Sequence, residues 1–191
     1  MDEPRKQRWD KDMNKILEAA AFAAEAHRGQ TRKWGHTHLP YIVHPMRVAG
    51  MAAIHPDTSE TMVVAAWLHD VVEDSGKTLE DVRMNFGRQV ADLVDWLTNA
   101  SKGMKAPRAE RRKIDREKLS RAPWMAKLLK LLDRIDNLTE SRDDKLTPPD
   151  FVKLYRAESL LLLDECLRGV DGELEDRLRW LAGTDMLWKE P

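Results

Sequence analysis

The sequence predicts an all-α fold in a single compact domain, and three observations carry that expectation. Apolar residues recur at intervals of three and four, as in Ile16, Ala19, Ala20 and Ala23 and again in Leu128, Leu131, Leu132 and Ile135, the spacing of a helix with one apolar stripe. No stretch shows convincing strand character. At 191 residues the chain is long enough for one domain with a substantial core.

The elements follow in order. A first helix carries the Ile16 to Ala23 stripe, and a break rich in Gly, Thr and Pro runs from Arg28 to Pro45. A second helix is expected over Met46 to Ala53, with His44 and Pro45 at its start. After a break at His55 to Thr58, an apolar run leads into AAWLHDVVED, Ala65 to Asp74, read as one continuous helix that stops in the turn from Asp74 to Thr78. Thr78, Leu79, Glu80 and Asp81 start the next helix, because the Thr hydroxyl can accept the N3 amide while early carboxylates suit the helix dipole. Residues 98–120, TNASKGMKAPRAERRKIDREKLS with its neighbours, are strongly polar and basic, and read either as a solvated loop and exposed helix or as a flap over an anionic ligand. The helix KLLKLLDRIDNL follows, then a break at Lys145 to Pro149, then a helix from about Phe151 through Cys166. Within it, Leu160 to Leu163 offers either deep core or a contact between copies in a homo-oligomer. Trp9, Trp67, Trp96, Trp124, Trp180 and Trp188 stand mostly among apolar residues and are expected in the core.

Bulk composition narrows the function. Lys plus Arg total 32 against 33 for Asp plus Glu, a net charge of -1, so nothing global favours nucleic acid or an anionic membrane. Cys166 is the only cysteine, which excludes an internal disulfide and a thiolate metal cluster and suits a reducing, cytoplasmic setting. No apolar run approaches the roughly 18 to 20 residues of a membrane span.

The chemistry concentrates in His69, Asp70, Glu73 and Asp74. On a helix these fall at about 0°, 100°, 40° and 140° around the axis and share one face. Imidazole with carboxylate suits a borderline divalent ion such as Mn²⁺, Fe²⁺ or Zn²⁺. Two further candidates stand elsewhere: His44 in PYIVHP, and Asp133, which interrupts an apolar helical face where an unpaired carboxylate would be expensive. Singly each has a plainer account, His44 as a packing residue and Asp133 as the partner of Lys130 or Arg134.

Taken jointly, H…HD…D resembles the HD-domain metal-dependent phosphohydrolases, an all-α superfamily. The longer words AHRGQTRKWG…LPYIVHPMRVAG, AAWLHDVVEDSGKTLEDVRMNFGRQVADLVDWLT and LKLLDRIDNL are similar to the hydrolase domain of Rel/SpoT-type alarmone enzymes, and in particular to the stand-alone small alarmone hydrolases. The resemblance covers about residues 15 to 170 of a single domain spanning 1–191. It implies His44, His69, Asp70 and Asp133 as ligands of a divalent metal, most often Mn²⁺, and Glu73 and Asp74 as the pair that positions and activates water. It implies Arg32, Lys33, Asn137 and Tyr155 as contacts to a small nucleotide substrate. The implied reaction removes the 3′-pyrophosphate from ppGpp or pppGpp, or from an adenine counterpart such as ppApp. Trp34, Asp136 and the longer link His36-Thr37-His38-Leu39 depart from the family words and leave the choice of base open. The alternatives are an HD-type 5′-nucleotidase or cyclic-nucleotide phosphodiesterase, which needs only the bare HD skeleton, and a nucleotide-sensing module without turnover, which has little use for Glu73 and Asp74.

Overall fold

The computed structural model describes residues 5–32, 39–143 and 147–183, with side chains from 15 to 32, 39 to 141 and 147 to 183. Among these residues the structure is helical, with no strand and one isolated antiparallel bridge between Thr31 and Pro40. The all-α expectation is met. The chain falls into two compact units, Met1–Gln30 with Tyr41–Thr98 and Thr31–Pro40 with Asn99–Pro191.

The first unit holds α1 (Arg5–Ala26), α2 (Val43–Ile54), α3 (Glu60–Leu68), α4 (Val71–Asp74), α5 (Leu79–Phe86) and α6 (Arg88–Leu97). Its centre is α3, where Met62, Val63, Val64, Ala65, Ala66 and Leu68 are all buried. A helix that is apolar all round must be covered on every side, and α3 packs on α1, α2 and α6. The helix α2 begins at Val43, earlier than expected, with Pro45 in its first turn, where the missing N–H has no helical partner to lose. His44 is thereby carried on a helix and not on the preceding loop.

The continuous helix expected through Asp74 is broken. The α3 ladder ends at Leu68, His69 caps it, and Asp70 adopts φ -99° and ψ -7° before α4 begins, the bridge region common at active sites. At α5 the cap is as expected: the Asp81 amide donates to Thr78 Oγ1 at 3.1 Å and the Thr78 amide to Asp81 Oδ2 at 2.8 Å. Gly87 then ends α5 and starts α6 with φ 87° and ψ 169°, a conformation open essentially to glycine alone.

The second unit holds α7 (Arg108–Ser120), α8 (Trp124–Asp143), α9 (Pro149–Leu162), a π-helical turn (Leu163–Leu167) and α10 (Gly172–Leu181). The turn interrupts the single helix expected through Cys166. On α8, Ala126, Leu128, Leu129, Leu131, Leu132, Ile135 and Leu138 are buried, and so are Asp133, Arg134, Asp136 and Glu140. Four buried ionisable groups on one helix go against the usual distribution. The basic segment is not wholly solvated. Arg108 pairs with Glu158 of α9 at 2.7 and 2.8 Å, Arg116 pairs with Glu165 at 2.6 Å, and Asp115 accepts from the Ser101 amide at 2.9 Å.

Leu162 and Leu163 are buried whereas Leu161 is 48% exposed, so the leucine run is core on one side only. The tryptophans are a correction. Trp67, Trp96 and Trp180 are half-buried and Trp124 is exposed, since a large ring with one N–H favours a boundary where that donor finds a partner; Trp124 Nε1 donates to the Val170 carbonyl at 3.0 Å. The side chains of Trp9 and Trp188 lie outside those described.

Candidate metal centre

His44 on the first turn of α2 and His69 at the end of α3 meet because α2 packs on α3. Their Nε2 atoms lie 3.1 Å apart, and Asp70 Oδ2 lies 3.1 Å from His69 Nε2 and 3.5 Å from His44 Nε2. Both imidazoles are buried. His69 Nδ1 stands 2.8 Å from the Ala66 carbonyl; a carbonyl can only accept, so Nδ1 carries a proton and Nε2 is the ring atom turned to His44 and Asp70, free to ligate a metal once it sheds any proton of its own. Burial pushes the Asp70 carboxyl up, but the His69 and His44 imidazoles outweigh it and hold the group well below the usual carboxylate range. Asp70 is therefore an anion facing two nitrogens.

That donor set suits a divalent cation. Ligand atoms about 2.1 Å from one ion and at right angles to each other stand about 3 Å apart, close to the separations observed. Three convergent nitrogen and oxygen donors without sulfur favour an open site over a closed structural one. His44, His69 and Asp70 could hold a metal ion.

Beside the cluster, Asp74 closes the short α4, its amide donating to the Asp70 carbonyl at 2.8 Å. Glu73 is half-buried on the same turn. Nothing in the sequence singles out Tyr41. Its hydroxyl lies 2.6 Å from Asp70 Oδ2 and 2.9 Å from Asp74 Oδ2. The available signal was its place in PYIVHP, three residues before His44.

The second unit gathers another group of expected residues. Asp133 is buried, accepts from Lys130 Nζ at 2.8 Å and from Asn137 Nδ2 at 2.6 Å. Asn137 Oδ1 accepts from Arg32 Nη2 at 2.6 Å, and Arg32 also pairs with buried Glu140 at 2.8 Å. The Arg134 guanidinium lies over the Tyr155 ring, 4.6 Å from the centroid, a cation–π contact. Burial pushes the Tyr155 phenol up against the opposing pull of Arg134, so it remains a hydrogen-bond donor at neutral pH. Nor does the sequence mark Lys130 and Glu140 as functional, since each reads alone as an ordinary helix charge. Lys33, Trp34, His36 and His38 lie outside the described residues.

Known proteins resemble this chain over most of its length. The HD domain family model matches residues 19–158. The guanosine-3′,5′-bis(diphosphate) 3′-pyrophosphohydrolase MESH1 of Xenopus tropicalis is 35% identical over 158 residues, 82% of this chain and 85% of its own length. The Homo sapiens protein of that name is 35% identical over 170 residues, 87% and 92% of the two chains. The solved structure of a metazoan ortholog of SpoT that hydrolyzes ppGpp and plays a role in starvation responses superposes with a TM-score of 0.78 at 32% identity, covering 87% of this chain and 93% of that one. The resemblance in the motifs thus extends over most of the sequence and the fold, and the chain belongs to the HD-domain family, among the relatives of the MESH1 guanosine-3′,5′-bis(diphosphate) 3′-pyrophosphohydrolases.

Proposed function

We propose that this chain is a metal-dependent 3′-pyrophosphohydrolase acting on guanosine-3′,5′-bis(diphosphate), its 5′-triphosphate form or an adenine counterpart, releasing pyrophosphate and the 5′-nucleotide. The observation that supports it most is the convergence of His44 Nε2, His69 Nε2 and Asp70 Oδ2 in a chain whose relatives carry that activity in their names. Mn²⁺ is the ion this reading assigns, with Asp133 as a further ligand. Arg32, Lys33, Asn137 and Tyr155 are its substrate contacts. Residues 1–191 are taken as one functional domain, supported by a family match that runs through both units. The reading is of a cytoplasmic enzyme, supported by a single cysteine that is buried and free. No described helix is long and apolar enough to cross a membrane.

A divalent ion, when bound, supplies charge neutralisation at the phosphoryl oxygens and makes water more acidic. The rest falls to side chains. Water oxygen attacks the phosphorus joined to the ribose 3′-oxygen; the new P–O bond forms as the 3′-oxygen to phosphorus bond breaks, and the 3′-oxygen leaves with a proton taken from solvent. Glu73 takes the proton of the attacking water and Asp74 orients that water. Arg32 and Lys33 are adjacent cations in the sequence of a chain of net charge -1, and cations are what a polyanionic substrate needs.

Incubation with ppGpp, pppGpp, ppApp, cyclic nucleotides and mononucleotides, with Mn²⁺ or with EDTA, tests this by product identity. Pyrophosphate released from a 3′-diphosphate only with metal supports the reading. Orthophosphate or an opened cyclic phosphate as the sole product overturns it. Glu73→Gln should keep bound metal and lose turnover by about 10² or more; loss of the metal instead would take the base role from Glu73.

A further inference from the structure

A phenol has one proton to give, and Tyr41 stands within hydrogen-bond reach of two carboxylates, 2.6 Å from Asp70 Oδ2 and 2.9 Å from Asp74 Oδ2. The Asp70 atom is the same oxygen that faces His44 and His69. The hydroxyl therefore touches a candidate metal ligand and the neighbouring acid at once. Its ring is fixed independently of that hydroxyl. His27 lies against it, centroids 4.6 Å apart at 31°, and the Tyr41 amide donates to the Gln30 carbonyl at 2.9 Å. Gln30 Oε1 in turn accepts from His27 Nδ1 at 2.9 Å, and Gln30 Nε2 donates to the Asp74 carbonyl at 2.8 Å. His27 is itself buried. The turn after α1 thus braces both the Tyr41 ring and the end of α4.

We propose that Tyr41 is a positioning residue, its one O–H shared as a bifurcated donor between Asp70 Oδ2 and Asp74 Oδ2 so that the metal ligand and the water-orienting acid keep one fixed separation. The inference rests on the hydrolase reading above for the roles of Asp70 and Asp74. Partners that orient a ligating carboxylate commonly govern affinity and activity without touching the ion, and a second acid placed by the same donor loses its aim when that donor goes. Because the ring has its own supports, removing the oxygen alone should leave the packing intact.

Tyr41→Phe is the test, read by Mn²⁺ titration calorimetry, by kcat and KM at saturating metal, and by thermal unfolding. The expected result is a loss of about 10–100-fold in metal affinity or in kcat, with KM within about threefold and the melting temperature little changed. Gln30→Ala, which removes the side-chain bond to the Asp74 carbonyl but keeps the phenol, should lower kcat by a smaller factor. In an Asp74→Ala background Tyr41→Phe should cost less kcat than it does alone, since contacting residues couple. Metal affinity and kcat both within about twofold of the parent, or fully additive effects in the double variant, overturn the proposal. If the unaltered chain releases no pyrophosphate, the hydrolase reading fails instead, and the metal titration still decides whether Tyr41 orients Asp70. Should Tyr41→Phe not fold, the Gln30→Ala kinetics with and without Asp74→Ala carry the decision.

Discussion

Asn137 spends both ends of its side-chain amide inside the second unit: Oδ1 accepts from Arg32 Nη2 at 2.6 Å while Nδ2 donates to Asp133 Oδ1 at 2.6 Å. An amide is suited to this place because it faces a cation with its acceptor and an anion with its donor. Asn137→Ala should destabilise the protein by about 1.5–3 kcal/mol, the range for hydrogen bonds to charged groups. Asn137→Asp should be worse at neutral pH, because it sets a second carboxylate against Asp133 where a donor had been. Urea midpoints at unchanged slope measure both, and an aspartate variant as stable as the parent would show that the Asp133 contact carries no weight.

Three donors 3.1 to 3.5 Å apart make a second expectation quantitative. Removing one of them with His44→Ala should weaken Mn²⁺ binding by at least about 10-fold, given that even outer partners contribute that much. Linkage then gives a stability readout independent of turnover. The parent should gain about 2.7 kcal/mol when the free ion stands at 100 times its dissociation constant, and His44→Ala at the same concentration should gain far less. Equal stabilisation of both proteins by Mn²⁺ would place the ion elsewhere.

How much of this could be read beforehand depended on range along the chain. The α5 cap was legible because Thr78 and Asp81 sit three residues apart and the geometry of a helix start does the rest. His69 and Asp70 were legible as a pair, and His44 joined them through the word around it. The break between α3 and α4 was not, since apolar periodicity runs straight through Leu68 to Val72 and the interruption lies in the Asp70 dihedrals. Tyr41 is illegible in the sequence for another reason. Its partners are 29 and 33 residues away, and a lone tyrosine in a loop word carries no sign of what its oxygen will meet. The basic stretch of α7 misled in the same way: Arg108 and Arg116 find Glu158 and Glu165 some fifty positions on, and no local pattern announces that.

Gly87 gives a prediction about the backbone alone. Its φ of 87° is denied to side-chain-bearing residues, yet a Cβ built there meets nothing within 4 Å. Gly87→Ala should therefore destabilise by about 1–3 kcal/mol through dihedral strain and leave metal affinity unchanged. Gly76, with open space and no positive φ, is the control, and its alanine variant should stay within about 0.5 kcal/mol of the parent. If the two substitutions prove equally mild, the α5 to α6 junction can relax into another conformation.

Cys166 tests burial through pH. Its side chain is almost enclosed in the π-helical turn, its thiol donates to the Arg116 carbonyl at 3.3 Å, and burial with the Glu165 carboxylate beside it pushes the thiol up from its ordinary value of 9.0. A raised value means that the folded chain holds the proton more tightly than the unfolded one. The associated stability is then fully present below the unfolded thiol's pKa and is lost as pH rises through the higher folded value. Unfolding free energy measured from pH 7.5 to 10.5 should accordingly fall less steeply for Cys166→Ala than for the parent, after allowance for the constant offset of the lost side chain. In the native parent at pH 8, iodoacetamide should label the thiol far more slowly than in urea, because the thiolate is both scarce and shielded. Native labelling as fast as that of the unfolded chain would mean that the turn opens readily and that the Arg116 contact does not hold it shut.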